Sequence, residues 1–399
     1  MNLKSQLEQL ISGSFMEEMI RIRRHLHRFP ELSFQEHETS KYIRGLLDSW
    51  RIQYTFPWAG TGILAWITGG KPGQVIALRT DMDALPLTEQ TGLGFESENP
   101  GVMHACGHDL HMASMLGAIR VLDQMKEQIA GEILFVFQPG EEKVPGGAKL
   151  MLEEGIFKER TPGMIIAQHV LPEMDAGHVG FKGGTYMASS DEIYLTVHGR
   201  GGHGAMTRDI ADPILMAAHI LISLQHEIHR KSPSGTPTVL SFGKVIADGA
   251  VNVIPDQVRL EGTFRTMNES WRKEAHHLIG QIAEGIASSM GGSCQLEIGH
   301  GYPVLRNHEE ITSEAIKCAA RLLGPDKVEE MELRMTAEDF AWFTQSIPGM
   351  MYRLGVREPG SSGVFPLHTP GFRVDETALK TGISMLSYLS VEMLHRIPV

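Results

Sequence analysis

Ile133-Leu134-Phe135-Val136-Phe137-Gln138-Pro139-Gly140-Glu141-Glu142 is a run of five apolar residues that stops at a Pro-Gly turn and two carboxylates. The run has no polar alternation, so it reads as a strand buried on both faces, the kind that parallel sheets use. Ile63 to Ile67, Val75 to Leu78 and Met164 to Ala167 have the same form. Helical stretches accompany them: Ile43, Leu46, Leu47 and Trp50 recur at helical spacing, and Asp109 to Met125 and Gly147 to Glu154 are further helices. Strands alternating with helices predict an α/β domain, a mixed and mostly parallel sheet with helices on both faces.

Beyond the glycine-rich Gly180 to Thr185 the pattern changes. The order becomes strand (Glu192 to Val197), helix (Pro213 to His229), strand (Thr238 to Val245), strand (Gln257 to Arg265), helix (Glu269 to Met290) and strand (Ser293 to Ile298). That β-α-β-β-α-β order predicts a ferredoxin-like α+β sandwich inserted into the larger domain. After about Gly301 the α/β style returns, with a helix near Glu314 to Leu323, a strand Met350 to Val356 and a terminal helix from Glu376. The expected division is 1–186, 187–301 and 302–399, the first and last forming one domain.

Composition narrows the function. The 399 residues carry 36 Lys and Arg against 48 Asp and Glu, a net charge of −12, which argues against a nucleic-acid or anionic-membrane partner. Three cysteines (Cys106, Cys294, Cys318) are too few for a disulfide scaffold and fit a reducing compartment. The first 28 residues lack the apolar core of a signal peptide, so the cytoplasm is the expected location. Histidine, at 19, is the unusual count.

Three of those histidines crowd Met103-His104-Ala105-Cys106-Gly107-His108-Asp109-Leu110-His111. Imidazole, thiolate and carboxylate together are the donors that bind zinc and neighbouring transition metals. Gly107 lets the backbone turn so that Cys106 and His108 can face one centre, and Asp109 sits where a helix N-cap belongs. Glu141 and Glu142 can divide the labour at their strand end, one ligating a metal and the other taking a proton from water. Asp81 and Asp83 follow the strand Val75 to Leu78, and His169 follows Met164 to Ala167. Each alone is more economically a solvated turn or a structural histidine. All of them at the carboxyl ends of strands, where α/β sheets place ligands, form a site. His368, in a Gly/Pro-rich loop, cannot be nominated by spacing.

Taken together, His-Ala-Cys-Gly-His-Asp-Leu-His-Met-Ala, the preceding Arg79-Thr80-Asp81-Met82-Asp83-Ala84-Leu85-Pro86 and the following Pro-Gly-Glu-Glu resemble the aminoacylase/carboxypeptidase metallopeptidases. The closer likeness is to their amidohydrolase branch, with hippurate hydrolase, indoleacetyl-amino-acid hydrolase, N-acetyldiaminopimelate deacetylase and N-acyl-amino-acid deacylases. It runs from about Arg23 to Thr369. The resemblance implies a zinc-exopeptidase-like catalytic domain and an inserted domain that serves as lid and dimer interface. It also implies two divalent metal ions per subunit (Zn, Mn, Co or Ni) held by Cys106, His108, Glu142, His169 and His368, with Glu141 as general base. Where the carboxypeptidases have His-x-Asp this chain has Asp81-Met82-Asp83, so Asp81 or Asp83 is expected to orient a ligand. Gly199-Arg200-Gly201-Gly202-His203-Gly204-Ala205 resembles the loop whose histidine stabilises the oxyanion, and Asn252 and Arg265 lie in segments that resemble the holders of the substrate carboxylate. The implied substrate is an N-acyl amino acid or short peptide, and the implied assembly a homodimer or tetramer.

Two rival readings remain at this stage: a cysteine hydrolase with Cys106 as nucleophile, and a non-catalytic protein that binds a metal or an acyl amino acid.

Overall fold

The computed structural model describes residues 2–361 and 363–394. Contacts gather the chain into two units, the first made of residues up to Gly184, Arg306–Glu332 and those from Asp339 onward, the second of Thr185–Leu305 and Leu333–Glu338.

The first unit is organised by strands β1 (Gln53–Trp58), β2 (Gly62–Thr68), β3 (Lys71–Asp81), β4 (Ala130–Gln138), β5 (Met164–Asp175), β6 (Val179–Phe181), β7 (Val328–Glu330) and β8 (Gly349–Arg357). They lie in the order β1-β2-β4-β3-β5-β8-β6-β7. The central four, β4-β3-β5-β8, are parallel. The β1–β2 hairpin joins β4 antiparallel, and β6 lies antiparallel to β8. Ile133, Phe135 and Phe137 of β4 enter one core with helices α1 (Ser14–Arg28), α2 (His108–Gln124) and α3 (Ala378–Met393). Leu134 and Val136 point to the opposite face and are equally buried. A strand with no wet face needs no polar alternation, which is why these runs are continuous.

Two local expectations are corrected. β5 does not stop at Ala167 but continues to Asp175, because it pairs with β8 as far as Arg357. His169 therefore sits inside a strand, opposite Arg353, rather than after its end. Asp109 is not the N-cap of α2. Gly107 holds that position, and the Asp109 carboxylate turns inward to Arg23, Nε to Oδ2 2.7 Å, with His27 Nδ1 at 2.9 Å from the same oxygen. A carboxylate this deeply buried is tolerated only with such partners.

In the second unit, Thr238–Ile246, Gln257–Thr266, Asp191–His198 and Ser293–His300 form an antiparallel sheet in that spatial order. Helices Pro213–Lys231 and Glu269–Ser289 bury Met216, Ile220, Leu224, Trp271 and Ile279 in one core with Ile193, Leu195 and Leu260. The chain order against this spatial order is that of a ferredoxin-like sandwich. Leu333–Glu338, far along the chain, is held here by backbone bonds: Ala188 N donates to the Arg334 and Thr336 carbonyls.

Candidate metal centre

The Cys106 loop enters α2 through Gly107, whose φ of +80° is left-handed. A Cβ there would meet Val170 Cγ2 at 2.7 Å, so only glycine turns the chain this close to β5. The turn brings Cys106 Sγ to 3.5 Å from His169 Nε2. Ligating atoms of Cys106, His108 and His169 lie within 4.8 Å of one another, as do those of Cys106, Glu142 and His368, and of His108, Glu141 and Glu142. Cys106 is common to the first two groups. His368 reaches Glu142 at 3.2 Å (Nε2 to Oε1), with φ of +60° and its backbone N–H on the Ala105 carbonyl at 2.9 Å. That bond ties the distant His368 loop to the Cys106 loop.

Hydrogen bonds set which imidazole nitrogens are available. His108 Nδ1 donates to the Asp83 carbonyl at 2.8 Å, and the buried Nε2 has no hydrogen-bond partner among the described residues. His169 Nδ1 donates to the Val170 carbonyl at 2.9 Å, turning the Nε2 lone pair toward Cys106. His111 differs. Its Nε2 accepts the Val170 N–H at 3.0 Å, so Nδ1 carries the proton and donates to Asp81 Oδ1 at 2.7 Å. With both nitrogens occupied, His111 braces the site and offers no lone pair to an ion, although Asp81, His108 and His111 also lie close together.

The two aspartates have separate tasks. Asp83 accepts from Ser33 Oγ at 2.6 Å and from the Glu142 backbone N–H at 2.9 Å, and lies 3.4 Å from His108 Nδ1. Asp81, at the end of β3, gives Oδ1 to His111 and Oδ2 to Arg79 Nη1 at 2.8 Å. Arg79 also donates to Gln138 Oε1 and Asp339 Oδ1, both at 2.8 Å, and Gln138 Nε2 donates to Asp339 Oδ2 at 2.7 Å. This net of charge lies wholly out of solvent.

Electrostatics favour a cation at the centre. Burial opposes charge on His108, yet the carboxylates of Asp81, Asp83 and Glu142 outweigh it and hold its proton up to about 10. Burial, then the charges of Glu142 and Glu141, push the Cys106 thiol well above its usual range. A thiol in such surroundings ionises only beside a strong local positive charge.

The residues expected to meet the substrate belong to the second unit. His203 lies on the short strand Gly202–His203, paired with Val253–Ile254, and its Nδ1 accepts the Ala205 N–H at 3.2 Å. The Asn252 carbonyl accepts the Gly204 N–H at 2.9 Å, so Asn252 and the His203 loop are neighbours. Arg265 donates from Nη1 to the Met335 carbonyl at 3.1 Å, and burial lowers its pKa.

A family model described as Peptidase family M20/M25/M40 matches residues 77–392, which contain the Cys106 loop, both aspartates, Glu141, Glu142, His169 and His368. The chain belongs to that family. Within peptidase family M20/M25/M40 it is 37% identical to the N-acetylcysteine deacetylase of Bacillus subtilis over 385 residues, 96% of this chain and 99% of the relative. A crystal structure from Bacillus subtilis, described as a dinuclear metal binding peptidase of the M20 family, matches with a TM-score of 0.83 and 35% identity over 96% of this chain and 99% of the other. A protein from methicillin-resistant Staphylococcus aureus matches with a TM-score of 0.92 and 33% identity, covering 98% of this chain and 100% of its own.

Glu36 escaped the sequence reading. Its buried carboxylate accepts from Thr61 Oγ1 (2.7 Å), Phe34 N (2.9 Å) and Gly140 N (2.8 Å). It thereby holds the turn that carries Glu141. Gly140 has φ of +59°, and a Cβ there would strike the Phe34 ring at 2.4 Å. Burial, then the Asp83 charge, raise Glu36 from 4.5 to about 7 despite those donors. A raised carboxyl binds its proton more tightly in the folded chain. Its contribution to stability is therefore full below pH 4.5 and is lost as pH rises through about 7. The stability difference between wild type and Glu36→Gln, from urea unfolding at about pH 4.5 and about pH 7.5, should move by about 3 kcal/mol in the variant's favour at the higher pH. A difference that stays constant across the interval would show that Glu36 titrates normally.

Proposed function

We propose that this chain is a metal-dependent amidohydrolase that cleaves N-acyl amino acids or short peptides to a carboxylate and a free amino acid. The observation that carries the reading is the sharing of Cys106 between two donor groups, with Glu141 beside them. Cys106, His108 and His169 would hold one ion, and Cys106, Glu142 and His368 the other. The donor set fits: His108 Nε2 is buried without a hydrogen-bond partner among the described residues, and the His169 lone pair faces the thiol. A pair of divalent ions held there would supply Lewis acidity to the amide carbonyl and lower the pKa of a water molecule. Thiolate favours zinc, while the carboxylate and imidazoles also suit manganese, cobalt or nickel.

The protein's own share of the chemistry is proton handling and positioning. Glu141 takes the proton of the attacking water and delivers it to the leaving nitrogen. Asp83 fixes both the His108 ring, through its backbone carbonyl, and the Glu142 backbone, through its carboxylate, so one residue sets two ligands. His203 donates to the developing oxyanion, and Asn252 and Arg265 take the substrate carboxylate; their motif resemblance supports these roles. A homodimer through the second unit is supported by exposed Leu215 and Ile222 on helix Pro213–Lys231 and Val245 on the neighbouring edge strand. Three free cysteines support a cytoplasmic location, and no described helix is long and apolar enough to cross a membrane.

Free amine released from a panel of N-acyl amino acids, before and after chelation, tests the reading. Chelation should abolish release, and Zn²⁺, Mn²⁺, Co²⁺ or Ni²⁺ should restore it. Full activity in metal-free protein would instead make Cys106 the nucleophile, a role its raised pKa disfavours. Tight binding across the panel with no amine released would make the protein a binder.

A further inference from the structure

A cavity of the first unit, about 750 Å³, lies among α1, the end of β8 and the segment that leads into α3. None of the proposed metal ligands lines it. Its size falls within the ~300–1,000 Å³ typical of small-molecule sites.

The walls divide by chemistry. Met16, Ile20, Phe95 and Phe365 supply apolar surface, and Arg373 and Lys380 supply positive charge. Of the three carboxylates that also line the cavity, Glu358, Asp375 and Glu376, the last is engaged by Arg23 and Arg24, and Asp375 accepts the Thr377 N–H. Arg24 also lines the cavity, but both of its donor edges are spent on Glu376, at 3.0 and 2.6 Å. Arg373 and Lys380 are different. Neither side chain makes an ion pair or hydrogen bond among the described residues, on a chain whose net charge is −12. The Arg373 guanidinium lies over the Phe365 ring at 3.8 Å, which orients it while leaving its N–H edges for a ligand. A planar guanidinium and an ammonium at the edge of an apolar cavity match a carboxylate head with an apolar tail.

We propose that this cavity is a second ligand site, taking a monocarboxylate that bears an aliphatic or aromatic tail. The site shares its wall segment with the candidate centre: His368 lies between Phe365 and Arg373 in the chain. A ligand seated against both would brace the loop from which His368 is presented. The binding claim itself is independent of the reaction proposed above.

Calorimetric titration of the metal-reconstituted protein with decanoate tests it. Decanoate should bind one per chain, acetate at least about tenfold more weakly, and decyltrimethylammonium not measurably. The R373A/K380A double variant should bind decanoate at least about tenfold more weakly, while hydrolysing any accepted N-acyl amino acid within about twofold of wild type. Both residues are exposed, and R373Q alone, which keeps the stacking surface, should show a smaller loss in the same direction. Unchanged decanoate affinity in the double variant would overturn the proposal, because the carboxylate would then sit elsewhere, the metal centre included. Equal binding of the cationic surfactant would overturn it as well, since the tail alone would be the determinant.

Discussion

Glu141→Gln should lower kcat for amide hydrolysis by about 10²- to 10⁴-fold, the range over which positioned acid-base groups act. Glutamine keeps the shape of the side chain but neither accepts the water proton nor returns it to the leaving nitrogen. The substitution leaves Cys106, His108, Glu142, His169 and His368 in place, so metal content by elemental analysis should stay at the wild-type value and KM should change little. That combination separates loss of the base from loss of the site. A variant that keeps more than about a tenth of wild-type kcat with full metal content would remove Glu141 from the chemistry.

The second large effect is on stability. Arg79→Met should cost about 3–5 kcal/mol in urea unfolding of the first unit, the loss expected when one partner of a buried charge network is removed. Arg79 stands between Asp81 and Asp339, each 2.8 Å from a guanidinium nitrogen, and none of the three reaches solvent. Methionine fills the volume and leaves two carboxylates without their shared cation. Arg79→Lys should recover less than half of the loss, because an ammonium cannot serve Asp81, Gln138 and Asp339 at once. A cost for Arg79→Met below about 1 kcal/mol would mean that water or protonation already compensates those carboxylates.

Local patterns in the chain were enough for β2, β3, β4, β5 and β8 and for the four strands of the second unit's main sheet, because burial on two faces leaves an unbroken apolar run and burial on one face leaves alternation. The edge strand β1 and the three-residue β6 and β7 carry too little of either pattern and went unread. The Cys106 loop and the Glu141-Glu142 turn were legible for a related reason, since their donors are packed into a few consecutive residues. What could not be read acts across distance. Asp339 meets Arg79 from 260 positions away, and Glu36 meets Gly140 from 104. A buried acid has no local signature until its partner is known, which is also why Asp109 read as a helix cap. The length of β5 was hidden because its continuation depends on β8, nearly two hundred residues later. His368 was beyond spacing altogether, being joined to the centre by the backbone bond to Ala105.

The strand order also dictates a timetable during synthesis. β8 lies between β5 and β6, yet it is made after the whole of Thr185–Leu305. Until residue 357 leaves the ribosome, the inner edge of β5 has no neighbour on that side, and Arg79 waits for Asp339 almost as long. The sequence-contiguous part of the second unit, by contrast, holds all four strands of its main sheet. The nascent chain thus carries an open, apolar strand edge while nearly half of its length is made, the condition under which β-edge association and chaperone capture occur.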